Sequence, residues 1–337
     1  MRGLIKNGAQ VIECNSRLLG VSKYFDLVRK FWKIKNRFDV MVVGFPGFQS
    51  LILARFLTRK PIIFDAFVSL YDSMVWDRKL VKPKSLKALY YWLLDWLACR
   101  LADKVLLDTL EHIIYFVGTF KIRAEKFNRI FVGADEEIFY PRPINKKNQE
   151  FVVHFHGTYL PLQGVDYIVE AANILRGKGI IFNLIGEGQE FKKIQKRVLT
   201  FGLEKTVRLI KAVPIEELAS YMSQADICLG IFGDVDKTRR VIPNKVYEAI
   251  AMAKPVISAD TPAAREAFKE GDIMFCRLAD GKDLAEKILI LKNNKELQGV
   301  LSENGYNLFR QKFHSSVLGF DLLSLIIKLS NTHEEKY

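Results

Sequence analysis

Cysteine is scarce in this chain of 337 residues, and the four present, Cys14, Cys99, Cys228 and Cys276, are widely scattered with no CxxC pair. Most of them sit in apolar runs, so neither a disulfide framework nor a zinc site is expected, and the usage suits a reducing compartment. Histidine is also rare, at five. His154 and His156 alternate along an apolar strand pattern with no carboxylate series beside them, which argues against a metal centre. No secretory leader opens the sequence, and no uninterrupted apolar run reaches the roughly 20 residues that span a bilayer. The expectation is a soluble, cytoplasmic protein, or one held peripherally on the cytoplasmic membrane face. Short repeats and low-complexity tracts are absent. No helix-turn-helix, RNP or zinc-finger pattern accompanies the dispersed basic residues, so nucleic acid is not the expected partner.

What is abundant is apolar residues and positive charge. A hydrophobic content of 49% in a chain of this length supports two cores rather than one. The net charge of +13 is uneven: residues 1–145 hold 24 Lys and Arg against 14 Asp and Glu. An anionic partner on that side is implied, either lipid headgroups or a phosphorylated substrate.

Strand-like apolar runs alternate with helical patterns, the signature of parallel sheets with crossover helices, and hence of an α/β fold. In the first half the expected strands are 11–14, 39–44, 61–65, 103–108 and 129–133. In the second they are 151–156, 180–186, 206–210, 226–230, 254–259 and 272–276. The stretch YPRPINKKNQ (140–149), with two prolines and a polar run, reads as a linker. This divides the chain into a domain over 1–142, a second over 150–312, and a C-terminal helix over 313–330 that packs back across the domains. The final NTHEEKY is expected to fray. MRGLIKNGAQ reads as the end of a helix followed by Asn-Gly and a strand, so the first domain is expected to lack its first strand, which would lie upstream of Met1.

Three segments carry chemistry. PNKVYEAIAMAKPVISAD (243–260) is a helix start, a carboxylate and a buried strand, with Pro243 suited to the first turn and Asn244 and Lys245 beside free backbone donors that favour a phosphate. Glu248 lies three residues beyond Lys245, on the same helix face. FHGTYLPLQGVDYIVEAANIL (155–175) is a strand, a glycine turn and a helix; LIGEGQE (184–190) is a strand ending in a two-glycine loop. Each glycine loop alone is an ordinary βα turn. Together with the helix start they fall at strand C-termini of one domain, where open α/β sheets bind ligands.

In their order GTYLPLQGVDYIVEAA, IGEGQE, VRLIKAVPIEELASYMSQADICLG and PNKVYEAIAMAKPVISADTPAAREAF, these segments resemble the C-terminal domain of retaining GT-B glycosyltransferases of family 4, the glycosyl transferases group 1. The resemblance covers about half the chain; PIIFDAFVSLYDS and ADKVLLDTLEHIIYF fit the family's acceptor domain more loosely. It implies two Rossmann-like domains and transfer of a sugar, with retention, from a UDP- or GDP-sugar to an acceptor hydroxyl on a glycolipid, lipid-linked or polysaccharide precursor. No cofactor or metal is implied.

Carried over residue by residue, the resemblance places Glu248 on the donor ribose hydroxyls, as the second glutamate of the family's Glu-x7-Glu pair. The first should stand at 240, where this chain has Arg240; Asp234 or Asp236 nearby offers a carboxylate. Gly157, Gly186 and Gly188 bring backbone to the donor, with Glu187 between the last two, and Val213 lies in the stretch that reads the base. The family's diphosphate-binding cations are replaced by Thr158 and Gln163. Lys237, Arg239, Arg240 and Lys245 stand in the loop before the helix, so the positive charge is expected to have moved there, with Asn244 beside it and Arg240 and Lys245 stabilising the departing diphosphate. The other reading is that these are solvated loop cations. Asp65, at a strand end, is a candidate catalytic residue in the first domain, where Phe67 replaces a family histidine. Asp72 and His112 are further candidates, His112 also reading as a plain polar residue at a helix start. PKSLKALYYWLLDWLACRLA (83–102) reads either as a membrane-surface helix or, the more ordinary use of such a stripe, as a buried crossover helix. Two other functions share the architecture: a binding module without turnover, and a sugar-nucleotide epimerase.

Overall fold

The computed structural model describes residues 1–143 and 150–334. Most of the expected linker therefore lies outside the described residues, as do the last three of the chain. Two compact units are present: Met1–Val75, Lys79–Phe131 and the described part of Ser316–Tyr337 form the first, and Trp76–Arg78 with the described part of Val132–Ser315 form the second. Both are α/β with parallel sheets.

The first unit carries helices α1 (Arg2–Lys6), α2 (Ser22–Ile34), α3 (Phe48–Leu57), α4 (Leu86–Leu101) and α5 (Leu110–Phe120) and strands β1 (Met41–Val43), β2 (Ile62–Phe67), β3 (Lys104–Leu107) and β4 (Phe127–Arg129). The strands pair in the order β1-β2-β3-β4, all parallel. Continuous burial of Ile62, Ile63 and Phe64 is what a strand covered on both faces requires. Phe48, Phe64, Phe116 and Phe120 fill the core beside them. Two sequence expectations are corrected here. Residues 11–14 form no strand: the sheet ends at β1, and without a neighbouring ladder to satisfy its backbone an apolar tetrapeptide stays irregular, here with Glu13 exposed. The strand expected at 129–133 lies earlier, at β4, because Phe127 supplies the buried side chain and pairs with Val105.

The second unit runs β5 (Phe151–His156), α6 (Val165–Ile174), β6 (Ile180–Ile185), α7 (Phe191–Thr200), β7 (Val207–Ile210), α8 (Ile215–Gln224), β8 (Ile227–Leu229), α9 (Asn244–Ala251), β9 (Val256–Ala259), α10 (Pro262–Ala267), β10 (Met274–Cys276), α11 (Gly281–Asn293) and α12 (Lys295–Leu308). Its six strands are parallel in the order β10-β9-β8-β5-β6-β7. The order reverses between β5 and β8, so the carboxyl end of β5 is the switch point where such sheets open a ligand crevice.

Helix α13 (Ser315–Glu334) closes the chain and meets the first unit through Gly319, which lies against Gly3, and through Ser316, whose carbonyl accepts from Asn7 Nδ2 at 2.8 Å. Among the described residues, one helical run, Lys295–His333, is long and apolar enough by length and composition to cross a membrane. Phe309 and Phe313 within it are buried, the latter edge-on to Tyr247 at 4.9 Å.

Candidate active site

At the carboxyl ends of β5 and β6 the two glycine loops are laced together. Tyr159 N–H donates to the Glu187 carbonyl at 2.9 Å, and Glu190 N–H to the Tyr159 carbonyl at 3.0 Å. Gly186 has φ +134°, and a Cβ there would stand 2.1 Å from the Gly157 carbonyl oxygen, so only glycine fits. The segments that read separately as weak loops are one backbone structure. Thr158, Glu187 and Gly188 are exposed on it. Gln163 is fixed from behind, since Phe232 N–H after β8 donates to its carbonyl at 3.1 Å and Gly164 packs against Phe232 and Gly233. Val213 lies three residues beyond β7 on the same edge of the sheet.

Helix α9 starts one residue later than the sequence suggested, with Pro243 as its N-cap and Asn244 exposed in its first turn. Its inward face is apolar, with Val246, Tyr247, Ala249 and Ile250 buried, which turns Lys245 toward the sheet. Lys245 is only 5% exposed. Its amine donates to Gln163 Oε1, sits 3.9 Å from the centre of the Phe155 ring and touches the space beside the Gly157 α-carbon. Burial pulls its pKa down to about 7, with Glu248 opposing the shift. Gly157, Gln163, Lys245 and Glu248, four of the expected site residues, thus converge.

Glu248 has a partner that sequence reasoning missed. His156 Nε2 lies 2.7 Å from Glu248 Oε2, and His156 Nδ1 lies 2.9 Å from His154 Nε2. This corrects the reading of the two histidines as lacking a carboxylate. Burial lowers the pKa of both rings, in His156 against the pull of Glu248, so both are neutral at pH 7. The tautomers follow: His156 gives its one proton to Glu248, and its Nδ1 must accept from His154 Nε2–H. His154 Nδ1 is left as a buried acceptor without a hydrogen bond among the described residues. The signal available in sequence was only the i, i+2 spacing that puts both rings on one face of β5; the contact of His156 with Glu248 spans 92 positions.

The expected cation cluster does not form as a unit. Lys237 is buried and faces Asp77 at 3.6 Å, so its charge is balanced by a carboxylate rather than offered to a ligand. Asp77 also accepts from Leu162 N–H at 3.4 Å, and Gln189 donates to the Arg78 carbonyl at 3.0 Å, which accounts for Trp76–Arg78 belonging to this unit. Arg239 is exposed and Arg240 half-buried. Asp234 and Asp236 are exposed.

The remaining candidates lie in the first unit. Asp65 sits at a bulge in β2, before Phe67 with its left-handed φ of 57°. Its pKa is raised to about 6, by burial first and by Asp108 second. Asp108 is bound to His112 Nδ1 at 2.6 Å, both buried, and His112 Nε2 has no hydrogen bond among the described residues. His112 is also one turn inside α5, whose N-cap is Thr109. Asp72 is buried, with its N–H donated to Ser69 Oγ at 3.0 Å.

Residues 136–308 match the family model described as Glycosyl transferases group 1. The amylovoran biosynthesis glycosyltransferase AmsK of Erwinia amylovora is 28% identical over 140 residues, which is 41% of this chain and only 34% of AmsK. Among solved structures, Anabaena Alr3699/HepE in complex with UDP and glucose aligns with a TM-score of 0.71 at 17% identity, covering 93% of this chain and 84% of that one. Sucrose-phosphate synthase from Thermosynechococcus elongatus aligns with a TM-score of 0.73 at 17% identity, covering 94% and 81%. At these identities the likeness is one of fold.

Proposed function

The chain belongs to the glycosyl transferases group 1 family, and on that premise we propose that it transfers a sugar, with retention, from a nucleotide-sugar donor to a hydroxyl of a glycolipid, lipid-linked or polysaccharide precursor. The second unit holds the donor and the first recognises the acceptor, in the cytoplasm. The observation that carries this reading is the meeting of Lys245, Gln163, Gly157 and Glu248 at the carboxyl end of β5. There a lysine amine, the start of α9 and a positioned carboxylate suit a diphosphate and the vicinal hydroxyls of a ribose. HepE, a relative in fold, was solved with UDP and with UDP-glucose, which favours a UDP-sugar.

In the reaction the bond from the anomeric carbon to the diphosphate oxygen breaks. The bond from that carbon to the acceptor oxygen forms on the same face, and the hydroxyl proton passes to the departing phosphate. Charge grows on the diphosphate, and Lys245, protonated as the anion approaches, stabilises it with Arg240 and Arg239 from the preceding loop. Gly186, Gly188, Thr158 and Glu187 bound the donor, Asn244 meets its phosphates and Val213 its base. His156 holds Glu248 in place for the ribose. Asp65, at the bulge in β2, orients the acceptor hydroxyl by accepting its hydrogen bond.

A thermal-shift panel of UDP-, GDP- and ADP-sugars, followed by product analysis of the anomeric configuration, tests this. Stabilisation by one nucleotide and an α-linked product from an α-linked donor are expected. Binding without nucleotide release would instead make the chain a binding module.

A further inference from the structure

Helix α4 is built to be buried on one face and is apolar on the other as well. Ala88, Leu94, Asp95, Ala98 and Cys99 face the core of the first unit. On the opposite side Leu86 is 87% exposed, Leu89 and Tyr90 51% and Leu93 45%. Their spacing of three, four and seven residues places them in one row along the helix. Four lysines surround the start of that row, Lys79, Lys82, Lys84 and Lys87, all exposed. None of the four is in an ion pair among the described residues, and no acidic residue occurs between Lys79 and Leu94. Lys79 and Lys84 stand in left-handed backbone, at φ 52° and 62°, where glycine would be less strained.

We propose that this face of α4 docks on an anionic lipid bilayer. The row of leucines with a tyrosine fits the boundary between headgroups and acyl chains, and the lysines reach the lipid phosphates on flexible stems. Positive charge with no ion-pair partner among the described residues selects a surface rich in negative charge. A protein partner is the poorer match, because lysine is depleted at the centre of protein interfaces. A lipid-linked acceptor, which rests on the glycosyltransferase reading, would then be met at the surface that holds it; the docking itself does not depend on that reading.

The test is co-sedimentation of the full chain with vesicles of phosphatidylcholine alone and of phosphatidylcholine with phosphatidylglycerol. Binding to the second only is expected, weakened by salt and not competed by inorganic phosphate. Each lysine removed should weaken partition roughly fivefold, so Lys82→Glu with Lys84→Glu and Lys87→Glu should abolish it. Lys84→Gly should weaken vesicle binding about fivefold while leaving the thermal midpoint unchanged or higher, which a damaged fold would not do. Leu89→Ser with Leu93→Ser should also release the protein. Equal binding to neutral vesicles, binding to neither, or an unaffected triple variant overturns the proposal. So does a dimer in the absence of lipid that Leu89→Ser with Leu93→Ser dissolves, since a second copy would then cover the face. A nucleotide-induced thermal shift on the same variants reads the donor site separately, so failure to dock and failure to bind donor are distinguishable.

Discussion

Lys245→Met should make the protein more stable and a poorer donor binder at the same time. The lysine amine is buried against Phe155 and Gln163, and its pKa falls from 10.5 to about 7. The unfolded chain keeps its proton up to pH 10.5, whereas the native state releases it near pH 7. Between those values the unfolded state binds more protons, so native stability rises with pH, by about 1.4 kcal/mol per pH unit from this one group. Below pH 7 the cost of burying the ammonium is present in full, about 5 kcal/mol as an upper bound. Methionine removes that cost and gives up a hydrogen bond and a cation–π contact, about 1 kcal/mol each. A net gain of about 2 kcal/mol is expected at pH 7.5, a rise in the melting midpoint of roughly 4 °C, shrinking to nothing near pH 9 and becoming a loss of about 1 kcal/mol by pH 10. Binding of UDP should weaken by a factor of about 10 to 100, the value of a charge-assisted hydrogen bond to phosphate. In the parent protein the same affinity should fall as pH rises above 7, because the anion binds the protonated amine. Calorimetric melting at pH 7.5 and pH 10, with UDP titrations at pH 6.5 and 8.5, checks all of these. An unchanged midpoint at pH 7.5, or a gain as large at pH 10 as at 7.5, refutes the buried-amine argument.

His156→Phe removes the donor at 2.7 Å from Glu248 and should lower UDP affinity about tenfold; His156→Gln, which keeps an N–H, should recover part of it, as read by isothermal titration. Gly186→Ala places a Cβ 2.1 Å from the Gly157 carbonyl at φ +134° and should cost about 2–4 kcal/mol in urea unfolding. Asp95→Ala in α4 strands Ser69 Oγ and the N–H groups of Leu70 and Tyr71, now bound at 2.6, 3.1 and 2.9 Å. A loss of about 3 kcal/mol is expected, and a variant within about 0.5 kcal/mol of the parent contradicts it.

The second unit was far more legible in sequence than the first. Five of its six strands are mostly buried apolar runs closed by glycine or by a helix start, the edge strand β7 with exposed Arg208 being the exception, and such a pattern has a single ordinary use in a parallel sheet. Gly157, Gly186, Lys245 and Glu248 could be assembled because each lies at a strand end or a helix start, and such ends gather on one edge. Contacts between distant positions were not legible. Nothing near His156 points to Glu248, and nothing near Lys237 points to Asp77, so a lysine that looked available is buried against a carboxylate. Residues 11–14 misled because an apolar tetrapeptide carries no sign of whether a neighbouring strand exists to complete its ladder. In α4 the helical spacing was plain, but both faces are apolar, and only the packed structure separates Leu94 in the core from Leu86 on the surface.

Isothermal titration of the full chain with UDP, GDP and ADP, beside the Glu248→Ala variant, tests the donor site most directly. One diphosphate, with UDP expected, should bind saturably and lose at least tenfold in affinity in the variant, through the lost ribose contact. No saturable binding of any of the three, or equal affinity with and without the Glu248 carboxylate, would contradict the assignment of this crevice to a nucleotide-sugar.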